Sequence, residues 1–543
     1  MTISGAVTYD FVPHQADAIG LDYEATTQRP VRGVTVEAVN GSGTVLDSDV
    51  TTGTGTYAVT VPAGTDVRIQ VEARYTQTTP ASWDVRVIDN TNNDAPYVLA
   101  GSLSTSGTEN STRNLNAASG WTGTNATGGY TATRSAAPFV VLDSMVDAID
   151  TVVGVDPDVA LPLLNVGWSE NNRPTGGSIA NGDIGSSSYR RVGGVSTILI
   201  LGAADNDPDE YDRHVNVHEF GHFLEDRISR SDSIGGSHSL SQRLDPRVAF
   251  GEGFGNAFSA IGLLDPIYKD SGGVRQQSGF SLNIESNLYR KGWYSEASVQ
   301  TLIYDIFDTD SDGVDTISAG FGPIYNTLTA PGYVAQADFT MVYPFADRIR
   351  NDPAVDGAAL DALLDEEFIF GRGPQGAGET TFGQQDGQGN PLYTSTLPVY
   401  HQLTVDGPAV EICSIATEGH YNKLGNRAYL ALELSGSGTF TFTMTNTSPP
   451  PAGSGNTDPD FLVWDLTQNQ GVLRLRADSG AENTETSSPL SLPPGSYRIE
   501  AYDWCNTLEN AEGFGEFGTQ FCDPLTSTNN RDSCYDFTVT TAP

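Results

Sequence analysis

His218, Glu219 and His222 fall in the order His-Glu-Phe-Gly-His inside RHVNVHEFGHFLEDRIS, a run whose apolar spacing and charge predict a helix. Residues four apart on a helix point nearly the same way, so both imidazoles can reach one ion while Glu219 stands beside them. Such a pair suits zinc, and a carboxylate next to an activated water can act as general base, so the chemistry expected here is hydrolysis of peptide bonds. His214 lies one turn earlier. Four protein ligands would close a zinc site to water, so His214 is expected to be a supporting or solvent-facing residue rather than a ligand.

A third ligand is needed. The metzincin pattern would require a glycine and a further histidine where Glu225 and Ile228 stand, which excludes it. Glu252, in Phe250-Gly251-Glu252-Gly253-Phe254-Gly255-Asn256, is the alternative on a second helix. HEFGH followed by GEGFGNAF resembles the fungalysin branch of the thermolysin-like gluzincins. The resemblance implies a zinc endopeptidase with His218, His222 and Glu252 as metal ligands and Glu219 as base; otherwise Glu252 is a glutamate favoured by a helix N-terminus. The family has an aspartate where this chain has Asn256, whose amide oxygen can still accept an imidazole N–H but without a charge. The family's oxyanion histidine follows a Gly-Val pair; the counterpart here is Gly292-Trp293-Tyr294, so Tyr294 is the expected donor, with His238 and Tyr304 as competitors. Two other readings remain: a surface or adhesion protein whose zincin unit is inactive, and a zinc aminopeptidase.

The elements that must position these residues divide by periodicity. Residues 1–100 alternate apolar and polar positions between turns, as in GTYAVTVPAG and DVRIQVEARY, and predict a β-sandwich. RGVTVEAVN and TGTGTYAVTVPAGT resemble the transthyretin-like regulatory modules found beside carboxypeptidases. Residues 101–133 read as a linker, and residues 134–385 carry helical spacing with strands at PLLNVGW and STILILG. STILILG is expected to be the edge strand that pairs with an extended substrate. Strands return over 386–543 after a Gly-rich second linker; DPDFLVWD and LPPGSYRIEAYD resemble the bacterial pre-peptidase C-terminal sandwich. The expected fold is therefore multidomain, an α+β zincin-like catalytic domain between two antiparallel β-sandwich domains.

A net charge of -40 and only three lysines, Lys269, Lys291 and Lys423, exclude a nucleic-acid partner. No apolar run is long enough to span a bilayer. The first residues, MTISGAVTYDFVPHQ, lack the pattern of a signal peptide, so a secreted or cell-surface protein would be represented here in mature or trimmed form. Cys413, Cys505, Cys522 and Cys534 have no zinc spacing and predict two disulfides in an oxidising compartment. The expected partners are a protein or peptide substrate and a cell-surface or polymer target for the terminal sandwiches. Calcium is a second candidate ion. Asp308-Thr309-Asp310-Ser311-Asp312-Gly313 matches the first half of an EF-hand loop but has Ala319 where the bidentate glutamate should be. The run from Asp205 to Asp212 is a weaker calcium candidate and reads rather as a turn whose acidic residues suit the helix start that follows.

Overall fold

The computed structural model describes residues 1–310, 313–383, 394–448, 457–468, 471–507 and 532–542. Backbone contacts divide the chain into two units, Met1–Arg227 with Gly255–Ile284, and Ile228–Phe254 with Glu285–Pro543. The division falls inside helix α3 (Pro246–Leu263), which contributes to both.

In the first unit one sheet runs in the order Ser188–Val192, Val195–Ile200, Leu164–Trp168, Trp83–Asp89, Asp66–Gln77, Val34–Asn40, Val45–Val50. Period-two patterning builds it: Val67, Ile69, Val71 and Ala73 of one strand are buried while their neighbours are not. Helix α1 (Ala137–Val153), apolar around most of its circumference, packs on the Asp66–Gln77 and Trp83–Asp89 strands. The sheet crosses the boundary expected near residue 100, because Leu164–Trp168 pairs in parallel with Trp83–Asp89 and with Val195–Ile200. Of the strands expected to form an isolated antiparallel sandwich, Val34–Asn40, Val45–Val50, Asp66–Gln77 and Trp83–Asp89 belong to this mixed sheet, whereas Thr2–Phe11, Thr27–Pro30 and Thr56–Thr60 pair in a second sheet. The stretch expected to be a linker is also structured: Ser111–Thr112 and Leu115–Ala117 pair with Thr2–Phe11, and Trp121 stacks on Tyr23. Its Gly/Ser/Thr composition hid this, since a short strand buried on one side needs few apolar residues.

In the second unit the described strands between Tyr400 and Thr541 form a β-sandwich. One sheet has the order Tyr400–Leu403, Arg427–Leu434, Gly495–Asp503, Pro459–Asp465, Val472–Ala477; the other runs Val410–Ser414, Ser533–Thr541, Gly438–Asn446, Thr484–Thr486. Leu430, Leu432, Ile499, Phe442, Met444, Phe537 and Val539 meet between them. Among the described residues of this sandwich the ladders are antiparallel except Tyr400–Leu403 on Arg427–Leu434. Cys413 and Cys534 form a disulfide across paired strands. Cys505 is also disulfide-bonded, while Cys522, Ser311, Asp312 and residues 384–393 of the expected second linker lie outside the described residues.

The N-terminal end of α3 is held by a buried charge network. Arg247 bonds Asp245 at 3.0 Å and Glu500 at 2.9 Å, Arg427 bonds the other Glu500 oxygen at 2.7 Å, and the Tyr429 hydroxyl donates to Asp245. Burial alone would raise both carboxyls, but the guanidinium groups outweigh it and hold Asp245 and Glu500 below their ordinary values. Their stabilising contribution is therefore present above the unfolded carboxylate range and is lost as pH falls through the depressed folded values. Arg247→Met is expected to cost about 3–5 kcal/mol, because it leaves two buried anions short of a partner. Equilibrium denaturation of the two proteins at neutral pH checks this; equal midpoints and slopes would refute it.

Candidate metal centre

Helix α2 (Arg213–Ile228) buries Val217, Phe220, Phe223 and Leu224. It meets α3 at two glycines. A Cβ on Gly221 would lie 3.1 Å from the Gly255 Cα, and a Cβ on Gly255 would lie 2.8 Å from the His218 ring. Only this close approach lets Asn256 reach His218: the imidazole Nδ1 donates to the Asn256 Oδ1 at 2.9 Å. Since Oδ1 can only accept, that bond puts the proton on Nδ1 and turns the His218 Nε2 lone pair outward.

The His222 Nε2 stands 3.0 Å from the His218 Nε2. Its own Nδ1 faces the buried Glu225 carboxylate at 3.6 Å. Ligand-capable atoms of His218, His222 and Glu252 all lie within 4.8 Å of one another. Glu252 precedes Asn256 by one turn of α3, which places both on the same side of that helix. Two nitrogens about 2.05 Å from a tetrahedral zinc are about 3.3 Å apart, so the observed imidazole pair has nearly the spacing the ion requires. Two nitrogens, one carboxylate and an outer acceptor on the first imidazole fit a zinc site that keeps a position for a reacting molecule.

Glu219 is 7% exposed. Its Oε2 accepts the Tyr189 backbone N–H at 2.6 Å. Tyr189 belongs to Ser188–Val192, which occupies the sheet edge, so STILILG is not the edge strand expected from its sequence; it is flanked on both sides. Polar residues in SSSYRRV concealed the outer strand. His238, expected as a competing oxyanion donor, has contacts the sequence did not predict: its Nδ1 lies 2.6 Å from Glu296 and its Nε2 lies 3.2 Å from Glu252. Glu296 opens helix α4 (Glu296–Phe307) after the N-cap Ser295, and nothing in its sequence context separates it from an ordinary helix-start carboxylate.

Tyr294, the expected oxyanion donor, lies just before α4. It is buried, its hydroxyl donates to the Lys291 carbonyl at 3.1 Å, and Arg243 lies over its ring. Tyr304 is buried with its ring against Phe307. His214 is not solvent-facing: its Nε2 meets the Asp265 carbonyl at 3.0 Å, and burial lowers its pKa to about 4.

No protein-family profile and no curated protein matches the chain. Some solved structures are similar over 26% of it: the pre-peptidase C-terminal domain of collagenase from Bacillus anthracis, at 10% identity over 93% of that chain with a TM-score of 0.16; the surface-associated copper-binding protein CorA of Methylomicrobium album BG8, at 9% over 98% with 0.17; and PliG of Aeromonas hydrophila, a periplasmic inhibitor of g-type lysozyme, at 10% over 96% with 0.14. Scores this low carry no argument about activity, and the terminal β-sandwich rests on the strand pairings themselves.

Proposed function

We propose that this chain is an exported zinc-dependent endopeptidase. The observation that carries the reading is the approach of His218, His222 and Glu252 to one point, with Glu219 next to His218 in sequence on α2. Zinc held there would supply a Lewis acid that polarises a carbonyl and brings the pKa of a water towards about 7. Glu219 takes the proton of that water and returns it to the departing amine. The Tyr189 N–H fixes one Glu219 oxygen, which directs the other as proton acceptor. Glu252 is oriented by His238, and His238 in turn by Glu296. The Ser188–Val192 edge is where an extended peptide would pair, with main-chain bonds supplying affinity. The Cys413–Cys534 disulfide supports an oxidising compartment, and no helix among the described residues is long and apolar enough to cross a membrane.

Asn256 tests the metal reading without touching the general base. Asn256→Ala is expected to weaken zinc binding about 10- to 100-fold, and Asn256→Asp to restore or tighten it by adding charge behind His218. Competition with a chromophoric zinc chelator measures both, and unchanged affinity in the alanine variant would remove Asn256 from the site. For the activity itself, purified protein is incubated with a denatured protein substrate, with chelator, and after zinc is restored. Cleavage that chelator stops and zinc restores is expected; zinc binding without cleavage would leave the inactive, surface-binding reading.

A further inference from the structure

We propose that Asp207, Asp209 and Asp270 form a calcium site at the entrance to α2, separate from the candidate zinc centre. Carboxylate oxygens of the three residues lie within 4.8 Å of one another. Asp207 and Asp209 belong to the loop before α2, and Asp270 to the Ile267–Gly272 strand. The donors are all oxygens, with neither nitrogen nor sulfur among them, which selects a hard cation; the flexible coordination of calcium suits a set drawn from a loop and a strand.

An acidic cluster alone would not justify an ion. The independent observation is Asp209, which is 3% exposed. Its Oδ2 accepts the Ser187 hydroxyl, whereas its Oδ1 is buried and has no hydrogen-bond partner. A buried carboxylate oxygen without a donor is costly, and beside two further carboxylates the missing partner is a cation. Burial and then the neighbouring aspartates push Asp209 well above the ordinary carboxylate range, and the same two causes bring Asp270 to about 8. Asp212, also nearby, is already satisfied by the Ser271 N–H and hydroxyl and by His14 at 3.0 Å, so it supports the site without being a ligand. Gly272 keeps the space open, since a Cβ there would lie 2.7 Å from the Asp207 Oδ1.

The position gives the ion a task. The Asn216 side chain, in the first turn of α2, donates to the Asp209 and Asp212 carbonyls. A cation that draws Asp207, Asp209 and Asp270 together would therefore pin the loop, the strand and the start of the helix that carries His218 and His222. The sequence offers Asp205 to Asp212 only as the weaker of two calcium candidates, because Asp270, which joins Asp207 and Asp209, is remote in the chain.

The test uses the full chain stripped with EGTA, reloaded with zinc and titrated with calcium chloride near neutral pH, read by calorimetry and by the melting midpoint. The parent is expected to bind calcium and to melt higher with it. The double variant Asp209→Asn with Asp270→Asn should lose one calcium per chain and the larger part of that rise, while folding in chelator because its like charges are gone. Gly272→Ala keeps every carboxylate and should weaken the same binding step by displacing Asp207. Asp308→Asn, in the separate group with Glu285 and Asp310, should retain it. A parent that does not respond to millimolar calcium, or a double variant or a Gly272→Ala protein with the parent's stoichiometry, affinity and midpoint shift, overturns the proposal. None of these readouts depends on peptidase activity.

Discussion

Glu219→Gln is expected to lower turnover at least 10²- to 10⁴-fold, roughly the contribution of a positioned general base, while the protein keeps its zinc. The amide has nearly the size and shape of the carboxylate and can still accept the Tyr189 N–H through its oxygen. It cannot take a proton from water at neutral pH. Metal analysis beside initial rates on a denatured protein substrate separates the two effects. A variant that cuts as fast as the parent would refute the role given to Glu219, and one that loses its zinc would show that this carboxylate holds the ion instead of acting on water.

Glu252→Ala should fail for the opposite reason. Removing the carboxylate leaves two imidazoles as donors and deprives the His238 Nε2 of its partner at 3.2 Å. Zinc affinity is expected to fall by more than about 100-fold, beyond the loss typical of an outer partner, and activity should recover in part as zinc is raised. Retention of stoichiometric zinc by this variant in dilute chelator would exclude Glu252 as a ligand and take with it the resemblance that suggested it. The two substitutions form a pair, since one keeps the metal and loses chemistry while the other loses chemistry by losing the metal.

The lesser effects concern support. Arg247 bonds Asp245 and Glu500 near the start of α3, and Asn256 bonds His218 from further along the same helix. Arg247 acts by fixing the start of the helix that carries Glu252, and Asn256 by holding the His218 proton on Nδ1. A destabilised Arg247→Met protein with normal zinc affinity at low temperature would show that the two roles are separable.

Some of this architecture could be read before any coordinates. The four-residue spacing of His218 and His222 carries a direction, because a helix returns to nearly the same face after one turn. Alternation in GTFTFTMTN announced a half-buried sheet, and Phe440, Phe442 and Met444 do enter the sandwich core. Pairing partners were another matter. Period two says which face of a strand is buried but not which strand lies beside it, so the parallel ladder from Trp83–Asp89 to Leu164–Trp168 was invisible, as were the short strands within residues 101–133.

By itself, then, the sequence determined the local items: a helix presenting two imidazoles on one side with a carboxylate adjacent, a strand-rich chain of strong negative charge, and cysteines confined to its last part. Tertiary structure alone decided that Glu252 and Asn256 face that helix, that the Tyr189 amide holds Glu219, that His238 lies between Glu252 and Glu296, and that Asp270 joins Asp207 and Asp209. The reason is range. Helix and strand periods are set by neighbours a few residues away, whereas these contacts join residues far apart in the chain, and their geometry depends on how closely whole elements approach, as at Gly221 and Gly255.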